Sequence, residues 1–224
     1  MLVSVVIPCF NQGHFLSEAI ESVLGQTYPQ DKIEIVVVDD GSTDNTVEIA
    51  MKYPVSLISQ NNQGLPMARN NGISKSNGNF ILPLDADDTI HPTFLELTSE
   101  SMNQYPNVGV VYTHRQHFGN VISIKYAEHF DTEKLKKKSF LNYCSLFRKD
   151  VWVACGGYNP HMTLGYEDWD FWLSVAETDW EFFLIEEVLF NYRKHAPSLS
   201  DIAKANHDSL YEILKQRHPS LFNT

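Results

Sequence analysis

Four short apolar segments of strand length alternate with helical segments in the first half of the chain, and this alternation constrains the fold most. The apolar segments cover residues 2–8, 33–38, 55–59 and 80–84. Between them, helices are predicted over 15–24 and 66–76, and a turn of capping residues over 41–46 is predicted to start a helix that continues to about residue 53. Strands separated in this way form a parallel sheet with right-handed crossovers. A segment as apolar as 33–38 is expected to be covered on both faces. The sequence therefore predicts an α/β fold.

The second half is predicted to mix strands and helices less regularly. Helices are expected over 92–104, 169–177 and 202–217, strands over 108–113, 121–124, 141–147 and 182–192, and a loop or surface helix over 126–138. With 224 residues, of which 43% are hydrophobic, the chain can form one large domain with a C-terminal elaboration.

Three acidic residues, Asp85, Asp87 and Asp88, follow the fourth apolar segment directly. A buried strand that ends in acids delivers them to the carboxyl edge of its sheet, where open α/β folds bind ligands. Two carboxylates one residue apart suit a hard divalent cation, which in turn suits the oxygens of a diphosphate. An acidic turn that caps the next helix is the alternative explanation.

The first two strands are expected to end at the same edge, because parallel strands put their carboxyl ends together. Phe10 follows the first strand and offers a face for a base, while Asp40 follows the second and can accept a hydrogen bond from a base N–H group. Neither GxGxxG nor a P-loop motif follows the first strand, which disfavours a dinucleotide site and a P-loop. A nucleoside diphosphate held through a cation fits this edge.

Two later segments also carry candidate functional residues. Glu167 and Asp168 lie at the start of a predicted helix, where acids either stabilise the helix dipole by about 0.3–1 kcal/mol each or act as a general base. His195 follows the last predicted strand in a polar turn. Both a structural role and a ligand role are open for this histidine.

Composition narrows the class of protein. A net charge of −11 disfavours non-specific nucleic-acid binding, which needs clustered Lys and Arg. Three cysteines without a CxxC pair favour a reducing compartment, and no apolar run reaches the ~20 residues of a membrane span, so we expect a cytoplasmic protein. The basic run 134–138 is expected on a solvated face, with contact to anionic lipid or an acidic acceptor as the alternative.

Eight short segments, spread from residue 3 to residue 200, read VSVVIPCFNQ, SVLGQTYP, IVVVDDGSTDNT, NQGLPMARNNGI, ILPLDADD, CGGYNP, GYEDWDFWL and NYRKHAPSLS. Together and in this order they resemble the family 2 glycosyltransferases. The resemblance implies the GT-A fold, a Rossmann-like and mostly parallel sheet flanked by helices. It also implies a single domain, 1–224, in which residues 1–90 bind the nucleotide, residues 91–200 face the acceptor and residues 201–224 form a C-terminal helix.

The resemblance also assigns roles to individual residues. The family residues that border the base, the ribose and the phosphates of the nucleotide correspond to Pro8, Phe10, Asp40, Asn61, Arg69 and Asp85. Asp87 corresponds to the main protein ligand of Mn²⁺ or Mg²⁺, and His195 to a residue that reaches the metal or the diphosphate. Asp168 corresponds to the catalytic base, with Glu167 supporting it.

The activity implied is an inverting, metal-dependent transfer of one sugar from a nucleotide-sugar donor to a hydroxyl group. Asp40 as an acceptor suits uracil, thymine or guanine, and a UDP-sugar is the first choice. The acceptor implied is a carbohydrate or lipid-linked glycan of the cell surface, and peripheral contact with the inner face of the membrane is open. The brevity of the chain favours transfer of a single sugar over processive synthesis.

Two other functions are open on the residues alone. The run 85–89 matches the DxDxT signature of haloacid dehalogenase-type phosphatases, in which the first Asp is a nucleophile. That signature ends the first strand of its domain, whereas three predicted strand–helix units precede Asp85. A carbohydrate- or nucleotide-binding module without turnover is the second alternative, because a fold and a site do not establish activity.

Overall fold

Nine strands of the computed structural model, which describes residues 1–195 and 198–223, form one sheet. They are β1 (Val3–Cys9), β2 (Ile33–Asp39), β3 (Ser56–Ser59), β4 (Phe80–Pro83), β5 (Thr89–Ile90), β6 (Val108–Gly119), β7 (Ser123–Lys125), β8 (Leu146–Arg148) and β9 (Glu181–Lys194). Their order across the sheet is β3-β2-β1-β4-β8-β6-β9-β5, and β7 pairs with β6 beside this path.

Helices connect and flank these strands. They are α1 (Gly13–Leu24), α2 (Thr46–Ala50), α3 (Leu65–Lys75), α4 (Phe94–Gln104), α5 (Thr132–Lys137), α6 (Lys149–Ala154), α7 (Glu167–Ala176), α8 (Leu199–Ala205), α9 (His207–Arg217) and α10 (Pro219–Phe222), with a short 3₁₀ helix over Gln30–Lys32. No helix among the described residues has the length and apolar character needed to cross a bilayer.

The first four strands confirm the predicted parallel arrangement. β1 pairs in parallel with both β2 and β4, and β2 pairs in parallel with β3. Both faces of β1 are buried, because Val5 and Ile7 pack into one hydrophobic cluster and Val6 into the other. The strand ends that carry the predicted acids therefore meet at one edge.

The second half departs from the prediction in its strand lengths and in its C-terminal helix. The predicted strand 141–147 is reduced to β8, because Asn142 and Tyr143 lie in a turn before it. β6 runs beyond the predicted end at 113, since it pairs with β9 as far as Gly119 and with β7. The helix predicted over 202–217 is divided into α8 and α9 at Asn206.

Short β5 controls where the end of β9 lies. β5 follows the acid cluster directly and pairs antiparallel with β9, with Thr89 opposite Asn191. This pairing brings the residues after Asn191, including Arg193 and His195, towards Asp87 and beside the first half of the sheet. Sequence-distant residues thus converge at the carboxyl edge of β4.

Candidate functional site

A cleft of about 920 Å³ opens at the carboxyl edge of β1, β2 and β4. The predicted site residues that line it are Pro8, Phe10, Asp40, Asp85, Asp87, Glu167, Asp168 and His195. Asn61 is exposed and is not among the lining residues, where its neighbour Asn62 stands instead. Arg69 is also absent from the lining, because its side chain is only 1% exposed.

Arg69 connects the two halves of the site from its buried position. Its guanidinium donates from Nη2 to Asp85 Oδ1 at 2.8 Å and from Nη1 to Glu167 Oε1 at 2.7 Å. The guanidinium carbon also lies 4.8 Å from the ring centre of Tyr143 and 5.4 Å from that of Tyr158. The acid that ends β4 is thereby fixed relative to the start of α7. The guanidinium of Arg69 thus forms ion pairs with two carboxylates and does not face the cleft.

Asp88 is held in place by hydrogen bonds from its own chain. Its Oδ2 accepts from the Tyr143 hydroxyl at 2.5 Å, and its Oδ1 accepts from the backbone N–H of Arg193 at 2.6 Å. Burial raises the pKa of Asp88 well above its usual range, and the charges of Asp87 and Asp85 act in the same direction. Asp88 therefore connects β4, β9 and the turn before β8.

Asp87 makes its side-chain contacts through one oxygen. Its Oδ2 lies 2.7 Å from Nε2 of His195 and accepts from Nε2 of Gln12 at 3.3 Å. The predicted proximity of His195 to this acid is therefore seen in the structure. Ala196 and Pro197, which follow His195 in the last motif, lie outside the described residues.

The donor set at this point fits a divalent cation. Carboxylate oxygens of Asp85, Asp87 and Asp88 lie within 4.8 Å of one another. Among the described residues, neither Asp85 Oδ2 nor Asp87 Oδ1 accepts a hydrogen bond. Oxygen ligands of this kind suit Mn²⁺ and Mg²⁺. Asp85 and Asp87, with His195 beside them, are the residues that would hold such an ion.

Asp40 organises the loop that follows β3. Its Oδ1 accepts from Gln60 Nε2 at 2.7 Å and from the N–H of Gln63 at 2.8 Å, and its Oδ2 accepts from the N–H of Gly64 at 2.9 Å. A carboxylate offers about four acceptor positions, so one position on Oδ2 stays available. Phe10, which is 48% exposed, lines the same cleft.

Glu167 and Asp168 occupy the first turn of α7, after a left-handed residue, Tyr166, with φ of 62°. Burial raises the pKa of both carboxyl groups, while the positive charge of Arg69 opposes the rise. Asp168 Oδ1 accepts from the N–H of Trp169 at 2.8 Å, and the Asp168 side chain lines the cleft. A carboxylate with a raised pKa is a stronger proton acceptor, which is the property that a general base needs.

Several residues of the cleft are absent from the sequence-based prediction. Arg115 and His117 of β6, Lys194 of β9 and Tyr143 all line it. The first two lie beyond the predicted end of their strand, and pairing of β6 with β9 brings them to the site. No local pattern in the sequence identifies Arg115 and His117, because 114–117 is a run of four polar residues without the alternation that is typical of a strand.

The sequence profile of glycosyl transferase family 2 matches residues 4–159 of the chain. The chain belongs to this family. Chondroitin synthase of Escherichia coli is 30% identical over 219 residues, which cover 92% of this chain and 31% of that protein. Hyaluronan synthase of Pasteurella multocida is 28% identical over 219 residues, covering 92% of this chain and 22% of that protein. The chain thus spans less than a third of the length of these two glycosyltransferases.

Solved structures confirm the predicted GT-A fold. S. aureus TarS 1–349 in complex with UDP superposes with a TM-score of 0.76 at 17% identity, covering 100% of this chain and 71% of that chain. Mannosyltransferase PcManGT from Pyrobaculum calidifontis, in complex with GDP-Man and Mn²⁺, superposes with a TM-score of 0.69 at 20% identity, covering 96% of this chain and 64% of that chain. Membership of this family also argues against the interpretation of residues 85–89 as a phosphatase signature.

Proposed function

We propose that the protein transfers one sugar from a nucleoside-diphosphate sugar to a hydroxyl group of a carbohydrate or lipid-linked glycan, with inversion at the anomeric carbon. The observation that carries the proposal is the position of Asp168. Its side chain lines the same cleft as Asp85 and Asp87, and Arg69 ties the two regions together through Glu167. Membership of the family supports glycosyl transfer, and the synthases of similar sequence support a glycan acceptor.

The donor is proposed to lie along the ends of β1, β2 and β4. Phe10 and Pro8 would border the base, and the remaining acceptor position of Asp40 would receive a base N–H group. A UDP-sugar is our first choice, supported by the UDP complex of the similarly folded TarS. Asp85, Asp87 and His195 would hold Mn²⁺ or Mg²⁺, which when bound neutralises charge on the diphosphate.

Asp168 is proposed as the general base of the reaction. Its carboxylate would take the proton of the acceptor hydroxyl as the oxygen forms its bond to the anomeric carbon and the bond to the nucleoside diphosphate breaks. Glu167 would keep Asp168 in position through its ion pair with Arg69. A lipid-linked acceptor would require peripheral contact with a membrane, which co-sedimentation with vesicles can measure.

Replacement of Asp168 by Asn tests the proposed base. We expect the rate of sugar transfer to fall by about 10²–10⁴, while Mn²⁺-dependent binding of UDP is retained, because the amide cannot take the proton. Release of UDP is measured with a panel of UDP-sugars and oligosaccharide acceptors, and binding is measured by thermal unfolding.

The matched control is Asp179→Asn, which changes an exposed acid outside the cleft and should leave the rate unchanged. An equal transfer rate in Asp168→Asn, or loss of its UDP binding, would count against the assignment. A wild-type protein that binds UDP but transfers no sugar would instead be a binding module.

A further inference from the structure

A group of basic residues lines the cleft, although the chain as a whole carries a net charge of −11. This group, here the basic cluster, consists of Arg115, Lys137, Lys138, Lys194 and Lys204. The residues come from β6, from the C-terminal end of α5, from β9 and from α8. The basic run 134–138 of the sequence therefore contributes to the cleft as well as to the solvated surface.

Arg115 and Lys194 both approach the ring of Tyr192. The Arg115 guanidinium carbon is 5.7 Å from the ring centre of Tyr192, and the Lys194 ammonium is 4.4 Å from the same centre. Parallel pairing of β6 with β9 fixes the two strands that carry them. Arg115 is held by a hydrogen bond from Nη1 to Asn142 Oδ1 at 2.8 Å, and its Nε is buried without a partner among the described residues.

Most of the basic cluster has no acidic partner in the part of the chain that the structure describes. Among the described residues, Arg115, Lys137, Lys138 and Lys194 form no ion pair within 4 Å, and the exposed Lys204 pairs with Asp201 at 3.6 Å. Arg69, by contrast, is fully neutralised by two carboxylates. Unpaired cations that share a partly buried wall favour an anion between them.

The charge of Arg115 acts on other titratable groups of the cleft. Burial lowers the pKa of His117 to about 4, with help from the charges of Arg115 and Lys194. Arg115 acts on Asp168 as well, since its charge opposes the burial that raises the pKa of that carboxyl group.

We infer that the acceptor carries an anionic group, a carboxylate or a phosphate, close to the hydroxyl that receives the sugar, and that Arg115 and Lys194 bind it. This inference rests on the proposed function and deepens it by naming the class of acceptor. A guanidinium can bind either anion through two parallel hydrogen bonds, and an ammonium adds a point charge. The neighbouring His117, whose Nε2 is buried without a hydrogen-bond partner in residues 1–195 and 198–223, is a neutral group at the same wall.

The experiment compares matched acceptors with a UDP-sugar and Mn²⁺. The probes are oligosaccharides that end in a hexuronic acid, the same oligosaccharides with the carboxyl group reduced to an alcohol, and the reduced form carrying a phosphate monoester. We expect kcat/KM to be at least about tenfold higher for an anionic acceptor than for its neutral counterpart. The more active of the two anions identifies the group that the cleft accepts.

Two variants assign the preference to named residues. Arg115→Gln and Lys194→Gln should each raise KM for the anionic acceptor by roughly 10–100-fold, with little effect on the neutral one. UDP binding with Mn²⁺ should not change. Lys52→Gln, at an exposed lysine outside the cleft, is the control. Lys194→Gln keeps the test valid if loss of the Asn142 contact prevents folding of Arg115→Gln.

Equal activity on neutral and anionic acceptors would overturn the inference. So would a loss of UDP binding in both variants, which would assign the cations to the diphosphate of the donor. These outcomes leave the Asp168-dependent transfer intact and are therefore distinct from failure of the proposed function. Absence of transfer with every donor and acceptor would contradict both the proposed sugar transfer and the inferred anionic acceptor.

Discussion

The three acids that follow β4 differ in their partners, and the partners decide what each acid can do. Asp85 is held by Arg69 through one oxygen, and Asp88 uses both oxygens in hydrogen bonds to Tyr143 and to the backbone of β9. Asp87 keeps one oxygen without a hydrogen bond from the described residues. Chemically similar neighbours in the sequence are therefore expected to divide into ligands and a structural support.

Substitutions at Asp87 and Asp88 should separate these two roles. Asp87→Ala should abolish the increase in melting temperature that nucleotide with Mn²⁺ produces, because one of the proposed carboxylate ligands is lost. Asp88→Asn should instead lower the free energy of unfolding by about 1–3 kcal/mol, since a buried hydrogen-bonded group loses a matched partner. Thermal unfolding with and without UDP and Mn²⁺ measures both effects.

Asp88→Asn should still respond to UDP with Mn²⁺ once its lower starting stability is taken into account. A full response in Asp87→Ala would remove this residue from the metal site. A lost response in Asp88→Asn with unchanged stability would show that Asp88 is a ligand and not a support.

Helix α7 connects the proposed base to the C-terminal part of the molecule. Its Asp170, which is 1% exposed, accepts from Arg217 Nε at 2.9 Å and lies 3.1 Å from Nε2 of His218. Glu177, just after the helix, lies 2.8 Å from Nδ1 of the same histidine. The junction between α9 and α10 therefore fixes the helix whose first turn carries Glu167 and Asp168.

His218 should make stability depend on pH. Burial acts to lower the pKa of His218, but the hydrogen bonds to Asp170 and Glu177 outweigh it and raise the pKa above the usual 6.5. The resulting stabilisation is present below about pH 6.5 and is lost as the pH rises through the folded-state pKa. It amounts to about 1.4 kcal/mol for each unit by which the pKa is raised.

Urea unfolding of the wild type and of His218→Gln, from pH 5.5 to pH 8.5, measures this contribution. The variant should be less stable at low pH and should lose less stability as the pH rises. His161→Gln, at an exposed histidine, should follow the wild type. Parallel curves for wild type and His218→Gln would show that the histidine contributes no pH-dependent stability.

Local pattern predicted the elements whose contacts are local and missed those that depend on distant pairing. The continuous apolar runs of β1, β2 and β4 and the apolar stripe of α1 identify these elements, because the residues that each element buries follow a local pattern in the sequence. The extension of β6 and the position of Lys194 depend on pairing with β9, which no local pattern encodes. For the same reason, the motif containing Arg69 is recognisable while its burial between Asp85 and Glu167 is not.

At the scale of the whole molecule, the cleft lies where elements from both halves of the chain meet. Binding of a nucleotide would bridge the strand ends of β1, β2 and β4 with the end of β9 and the start of α7. The contacts of Arg69 and Asp88 already join the end of β4 to the start of α7 and to the end of β9. A ligand held there should therefore stabilise the folded chain as a unit.

Thermal unfolding with UDP, GDP, dTDP and CDP, each with and without Mn²⁺, tests this expectation. A nucleotide at about 100 times its dissociation constant adds ~2.7 kcal/mol of stability, which raises the melting temperature of a chain of this size by roughly 5–10 °C. We expect the largest shift with UDP and only in the presence of Mn²⁺. CDP should give the smallest shift, because cytosine has no ring N–H for Asp40. Equal shifts with all four nucleotides would remove Asp40 from base recognition, whereas no shift with any of them would count against a donor site.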